Sequence, residues 1–152
     1  MLLEVLDEAL LHSVRAALQE DVGPGDSTAA LLPKERTASA TVITREPAVL
    51  CGMAWFNAVF AELDTDIEIT WQAHDGERIG PGQTVCSLAG PARPILTGER
   101  TALNFLGHLS GIATATRRAG GVEPLARVEA LHGTTALVIA PLAIVLLHVA
   151  RG

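Results

Sequence analysis

The sequence predicts an α+β domain, an antiparallel sheet sandwiched with helices. Three observations carry that expectation. Helical and alternating patterns follow one another in the order helix, strand, helix, two strands, helix. Short turn signals, Asp75-Gly76 and Gly80-Pro81-Gly82, join the strands, as suits antiparallel neighbours. The 152 residues, 49% hydrophobic and 18% charged, are enough for one domain with its own core. No internal repeat is visible.

The first helix is expected from about Leu3 to Gln19. Leu2, Leu6, Leu10, Val14 and Leu18 recur at four-residue spacing and make one apolar stripe. Gly23-Pro24-Gly25 ends it. The stretch that follows, "EDVGPGDST" (Glu20 to Thr28), raises the question of a phosphate or metal site. A phosphate loop of the GxxxxGK[ST] form needs a lysine, whereas Asp26 follows Gly25 and would repel the anion. A calcium loop needs oxygen ligands alternating over twelve positions and a closing glutamate, and that series is missing. The remaining reading is structural. Asp26 caps a short helix that runs through Leu32 and stops at Pro33.

Residues 38–50 alternate around Val42 and Thr44 as a strand, broken by Gly52. Met53 to Leu63 reads as a short helix burying Trp55 or Phe56, Val59, Phe60 and Leu63. Ile67, Ile69 and Trp71 alternate with polar residues in a half-buried strand, and Gln83 to Gly90 forms the next. Pro91 and Pro94 are expected to bar further pairing and to introduce a long helix over about Pro94 to Arg117.

Charge narrows the function classes. A net charge of −6 argues against a nucleic-acid or anionic-membrane surface, which needs clustered basic residues. Lys34 is the only lysine, so no mechanism that needs several lysines fits this chain. The N-terminal turn carries Glu4, Asp7 and Glu8 and no basic leader, and Cys51 and Cys86 form no CxxC pair. A cytoplasmic location with reduced thiols is expected. His12, His74, His132 and His148 show no metal-ligand spacing.

The long helix carries the chemistry. Leu96, Leu103, Leu106, Leu109, Ile112 and Ala113 are the expected buried stripe. Arg100, Asn104 and His108 recur every four residues on a polar face, with Gly107 and Gly111 beside it. Each glycine costs a helix about 1 kcal/mol, so something must pack or bind there.

The motifs "EDVGPGDST", "DGERIGPGQTV…GPARPIL" and "GERTALNFLGHLSGIAT" resemble the N-terminal domain of quinolinate phosphoribosyltransferase, or carboxylating nicotinate-nucleotide pyrophosphorylase. The likeness runs from about Leu3 to Arg118, and the ERTxLNxxxxxSGIAT pattern is its most specific part. It implies a transferase of NAD synthesis that converts quinolinate and phosphoribosyl pyrophosphate to nicotinate mononucleotide, pyrophosphate and carbon dioxide. It also implies a head-to-tail dimer in which one subunit's N-terminal domain covers the α/β barrel active site of the other. Arg100 is then the substrate-binding residue, reaching across to a quinolinate carboxylate. Magnesium serves the full-length family, while this chain is expected to supply no catalytic residue, metal ligand or cofactor of its own.

The pattern stops after Arg118. The division expected is residues 1–118 as the α+β domain with its connecting helix, and 119–152 as an apolar tail of unknown structure. A complete barrel needs about 200 residues or more, so the chain is expected to stop short of it and to be inactive alone. Thr134 to Ala150 carry no charge. A spanning helix wants about 20 apolar residues, and Pro141 interrupts this run, so it reads as a buried helix or strand pair. A change of reading frame after Arg118 is an open alternative. Two other function classes stand beside the first. The chain could be a non-catalytic interaction module that pairs with a barrel-containing partner. A biotinyl or lipoyl carrier would need a lysine in its hairpin turn, and "DGERIGPGQTV" has none.

Overall fold

A computed structural model describes residues 2–120 and 142–149. Its framework is a four-stranded antiparallel sheet. The contributing strands are β1 (Thr37–Thr44), β3 (Glu68–Trp71), β5 (Thr84–Pro91) and β6 (Leu142–Val149), in the order β3-β5-β1-β6. Along β1, Ala38, Ala40, Val42 and Thr44 are buried while the residues between them are not, so every second side chain faces the core. The register places Ala40 opposite Leu88 and Val42 opposite Cys86, with a bulge between Val42 and Ile43.

Residues 38–50 do not make one strand. β1 ends at Thr44, whose hydroxyl donates to the Glu46 carbonyl at 2.6 Å. The chain then turns into β2 (Ala48–Val49), which pairs with β4 (Arg78–Ile79) in a separate small sheet. Pro91 is also within β5, opposite Thr37. It lacks an N–H, but the next residue continues the ladder: the Ala92 N–H donates to the Arg36 carbonyl at 2.8 Å.

The helices α1 (Leu2–Val22), α2 (Ser27–Ala30), α3 (Met53–Leu63) and α4 (Ala92–Arg118) complete the described fold. α3 and α4 bring Phe56, Phe60 and Ile95 against Ala40, Val42 and Leu88 of the sheet. Phe56 meets both Phe60 and Trp71 edge-on, with ring centroids 5.2 Å apart in each case. Such pairs add about 1 kcal/mol each to their burial. Of the alternatives Trp55 and Phe56, it is Phe56 that is fully buried. α1 buries Val14 and is tied to α3 by Arg15, whose Nε and Nη2 donate to Glu62 at 2.8 and 3.0 Å. The pair raises the arginine pKa and lowers that of the glutamate, but it lies in solvent and contributes little. The N-cap of α3 is Gly52, with φ of 112°, a left-handed conformation in which a side chain would be strained.

The antiparallel sheet with its helices is the α+β class expected from the sequence. The stretch after Arg118 returns in part as β6, which lies against β1 at the edge of the sheet. Residues 121–141 lie outside the described residues, and so does any expectation for them. No helix among the described residues is long and apolar enough to cross a membrane.

Candidate functional site

α4 presents three different faces. Of the leucine stripe expected to be buried, only Leu106 is fully so. Ala92, Ile95, Gly98, Thr101, Ala102, Leu106, Gly107, Ser110 and Gly111 are buried, whereas Leu96, Leu103, Leu109 and Ala113 are half-buried and Ile112 is 45% exposed. The reason is close approach. A Cβ at Gly98 would stand 2.7 Å from Leu63 Cδ1 and 2.9 Å from Phe60 Cε1. At Gly98, therefore, α3 and α4 approach too closely for a side chain on α4. Gly107 and Gly111 likewise sit on the buried side rather than beside the polar face.

The second face is hydrogen-bonded to the rest of the domain. Arg93 donates from Nε to the Leu32 carbonyl at 2.7 Å and from Nη2 to the Ala30 carbonyl at 3.2 Å. Thr97 Oγ1 donates to Asp26 Oδ2 at 3.2 Å, and Thr101 Oγ1 to Asp21 Oδ2 at 2.6 Å. Further along, Ser110 exchanges hydrogen bonds with the Cys51 N–H and carbonyl at 3.0 and 3.1 Å, and Thr114 Oγ1 accepts the Val49 N–H at 2.8 Å.

The third face is open. Arg100, Asn104 and His108 are exposed at four-residue intervals, with Ile112 next in line. Among the described residues the Arg100 guanidinium has no hydrogen bond or ion pair, so it is not neutralised by its neighbour Glu99. Glu99 is instead partly withdrawn, at a small apolar hollow lined also by Val42, Phe60, Leu88 and Leu103. Burial pushes its pKa up.

The stretch "EDVGPGDST" is a cap and a clasp. Asp26 Oδ1 accepts the Ala29 N–H at 3.1 Å, and its carbonyl accepts that of Ala30 at 3.1 Å, as an N-cap should. The helix it starts is shorter than expected, ending at Ala30 rather than Leu32. Sequence reasoning found the cap but missed the second role of these acids, because Thr97 and Thr101 are 71 and 80 positions away from Asp26 and Asp21. The one legible signal was the four-residue spacing of Arg93, Thr97 and Thr101.

Both cysteines are free. Burial pushes the Cys86 pKa up to about 12, and burial followed by the Asp75 charge raises that of Cys51, so neither has an activated thiolate. His12 is exposed, and His74 stands 3.5 Å from Glu77 in solvent. His132 lies outside the described residues. Among the described residues no three His, Cys, Asp or Glu side chains cluster as a metal site would.

A domain of this architecture, with Arg100 exposed on a helix tied to its neighbours, has relatives among known proteins. The family model for the N-terminal domain of quinolinate phosphoribosyl transferase matches residues 26–110. A quinolinate phosphoribosyltransferase (decarboxylating), 1b, of Nicotiana tabacum is 32% identical over 126 residues, which are 82% of this chain and 34% of the relative. The nicotinate-nucleotide pyrophosphorylase (carboxylating) of Rattus norvegicus is 38% identical over 102 residues, 67% of this chain and 33% of the relative. Among solved structures, the nicotinate-nucleotide pyrophosphorylase from Francisella tularensis superposes with a TM-score of 0.71 at 40% identity, covering 74% of this chain and 40% of the other. The chain belongs to the quinolinate phosphoribosyl transferase family through its N-terminal domain. It spans about a third of the length of the curated relatives it matches.

Proposed function

We propose that this chain is the substrate-capping and dimerisation domain of a quinolinate phosphoribosyltransferase of NAD biosynthesis. The reaction joins quinolinate to phosphoribosyl pyrophosphate, giving nicotinate mononucleotide, pyrophosphate and carbon dioxide. The unit we assign this role is residues 1–118, and it works over a barrel held by another subunit. The observation that carries the reading is Arg100: exposed and without a partner among the described residues, within the stretch matched to the family. Quinolinate is a dianion, and a guanidinium binds a carboxylate through two parallel hydrogen bonds. Enclosed between two subunits, that charge would hold one carboxylate while the barrel acts on the rest of the molecule. The chain alone brings a single lysine and, among its described residues, no metal cluster for the pyrophosphate. Purified alone, it is expected to form no nicotinate mononucleotide.

A second reading shares the surface but not the chemistry. Ile112 is exposed further along the helix that carries Arg100, which suits a covered protein contact. The chain would then be an interaction module that pairs with a barrel-containing partner without taking part in binding substrate.

One experiment separates them. A full-length family enzyme whose matching arginine is replaced by alanine is mixed with this chain, both substrates and magnesium. Turnover restored by the chain, and not by its Arg100→Ala variant, is the expected result. A complex that forms without restoring turnover leaves the interaction module. No complex and no turnover removes both.

A further inference from the structure

Asp21, in the last turn of α1, and Asp26, just before α2, have no part in the reading above, and their contacts give them one. Thr101 is buried at 1% exposure, and its hydroxyl reaches Asp21 Oδ2 at 2.6 Å, a short charge-assisted bond. Thr97 Oγ1 reaches Asp26 Oδ2 at 3.2 Å, and the other oxygen of that carboxylate is held by the Ala29 N–H. Arg93, one turn before Thr97, fastens the carbonyls of Ala30 and Leu32. Positions 93, 97 and 101 are four apart, so one strip of α4 is joined to residues 21–32 over two turns. Arg100 stands three residues after Thr97 and one before Thr101. The turn that bears the open guanidinium is therefore held on one side by two carboxylates.

We propose that Asp21 and Asp26 are positioning residues, which act through Thr101 and Thr97 to set the rotation of the turn that carries Arg100. The inference rests on the capping role of Arg100. A long side chain magnifies any rotation of its helix, because a small turn at the axis moves the guanidinium much further. A fork that must meet a carboxylate held by another subunit tolerates little of that. The two carboxylates remove this freedom without touching the substrate. They also explain why two acids lie near a site for an anion: their oxygens are turned to threonine hydroxyls and a backbone N–H.

The test uses the full chain and two readouts. The first is the side-chain Nε–Hε signal of Arg100 in the free chain, assigned by its loss in Arg100→Lys. Asp21→Ala and the near-isosteric Thr101→Val are expected to shift that signal. Asp21→Asn, whose amide oxygen still accepts the hydroxyl, is expected to restore it. Arg15→Ala, which breaks a surface tie elsewhere, should leave it in place. A signal unmoved in both Asp21→Ala and Thr101→Val, with only the melting temperature lowered, overturns the proposal.

The second readout is the complementation mixture described above. Asp21→Ala is expected to raise KM for quinolinate about tenfold, with kcat and KM for phosphoribosyl pyrophosphate unchanged. It should add nothing in an Arg100→Ala background. If the unaltered chain restores turnover and the clasp variants keep its KM, positioning is overturned and the capping role stands. If the unaltered chain restores none, the capping role falls, and the Arg100 signal alone decides whether the clasp orients it.

Discussion

Arg93 and Arg100 sit two turns apart on one helix and have opposite fates. Arg93 is half-buried and spends its donors on the carbonyls of Ala30 and Leu32. Arg100 is exposed, and among the described residues it spends none. The same side chain thus serves as a rivet in one place and as an open hand in the other. What differs is the neighbouring backbone: two carbonyls left free at the end of α2 are within reach of Arg93, whereas Arg100 faces outward. The comparison gives a double dissociation. Loss of the first should cost stability, and loss of the second should cost only what the domain does to others.

The largest expected effect is on the open side. Arg100→Ala should lower complemented turnover roughly 100-fold, about 3 kcal/mol for losing one partner of an enclosed charge pair. Its melting temperature should match that of the unaltered chain, since exposed substitutions away from contacts stay within about 0.5 kcal/mol. A large fall in stability would mean that Arg100 is a second rivet.

Packing between the two sides comes next. Gly98→Ala puts a methyl carbon 2.7 Å from Leu63 Cδ1 and 2.9 Å from Phe60 Cε1. The leucine tip can yield, but the Phe60 ring is 3% exposed and closely surrounded. The cost should be about 2 kcal/mol of unfolding free energy, read by chemical denaturation. An unchanged midpoint would show that α3 and α4 have slack, and that the glycine is not what brings them together.

Arg93→Ala should cost about 1.5 kcal/mol, near the low end for a hydrogen bond to a charged group, because water can reach part of what it leaves. Denaturation again gives the number. With the Arg100→Ala result it completes the crossing: one arginine lowers stability, the other lowers turnover.

These contrasts were unevenly legible in the sequence. The helix over Met53–Leu63 was readable to the residue, because Gly52 and the residues after Leu63 bound a clear helical period. The exposed row of Arg100, Asn104 and His108 was readable too, since polar residues at four-residue spacing share a face. The buried face of α4 was misread, because a helical pattern weights large apolar side chains and says nothing of how near the neighbour stands. Phe60 and Leu63 stand so near position 98 that only a glycine fits there without a shift. β4 has only two residues, too few for any period, and the split between β1 and β2 rests on a turn with no glycine. Beyond the Asp26 cap, the threonine partners of Asp21 and Asp26 left only one trace, the four-residue spacing of Arg93, Thr97 and Thr101. A carboxylate in a glycine-rich loop looks the same in sequence whether it meets a metal or a threonine hydroxyl far along the chain.

The smallest expected effect probes the charge beside Arg100. Glu99 and Arg100 are neighbours that turn different ways, the acid partly withdrawn beside an apolar hollow and the base in solvent. Burial holds the Glu99 pKa above its usual value, so the folded state keeps this proton more tightly than the unfolded one does. Its contribution to stability is then fully present below the ordinary carboxylate pKa of about 4.3, and is lost as pH rises through the higher folded value. Glu99→Gln removes the titration. It should raise the melting temperature at neutral pH, and the gain should shrink as pH falls below the carboxylate range. An ion pair with Arg100 would reverse the sign, because the amide would then remove a favourable charge and lower the neutral-pH melting temperature. Melting curves of the two proteins across that range therefore test whether Arg100 is left open by its nearest acid, the condition on which its use by another subunit depends.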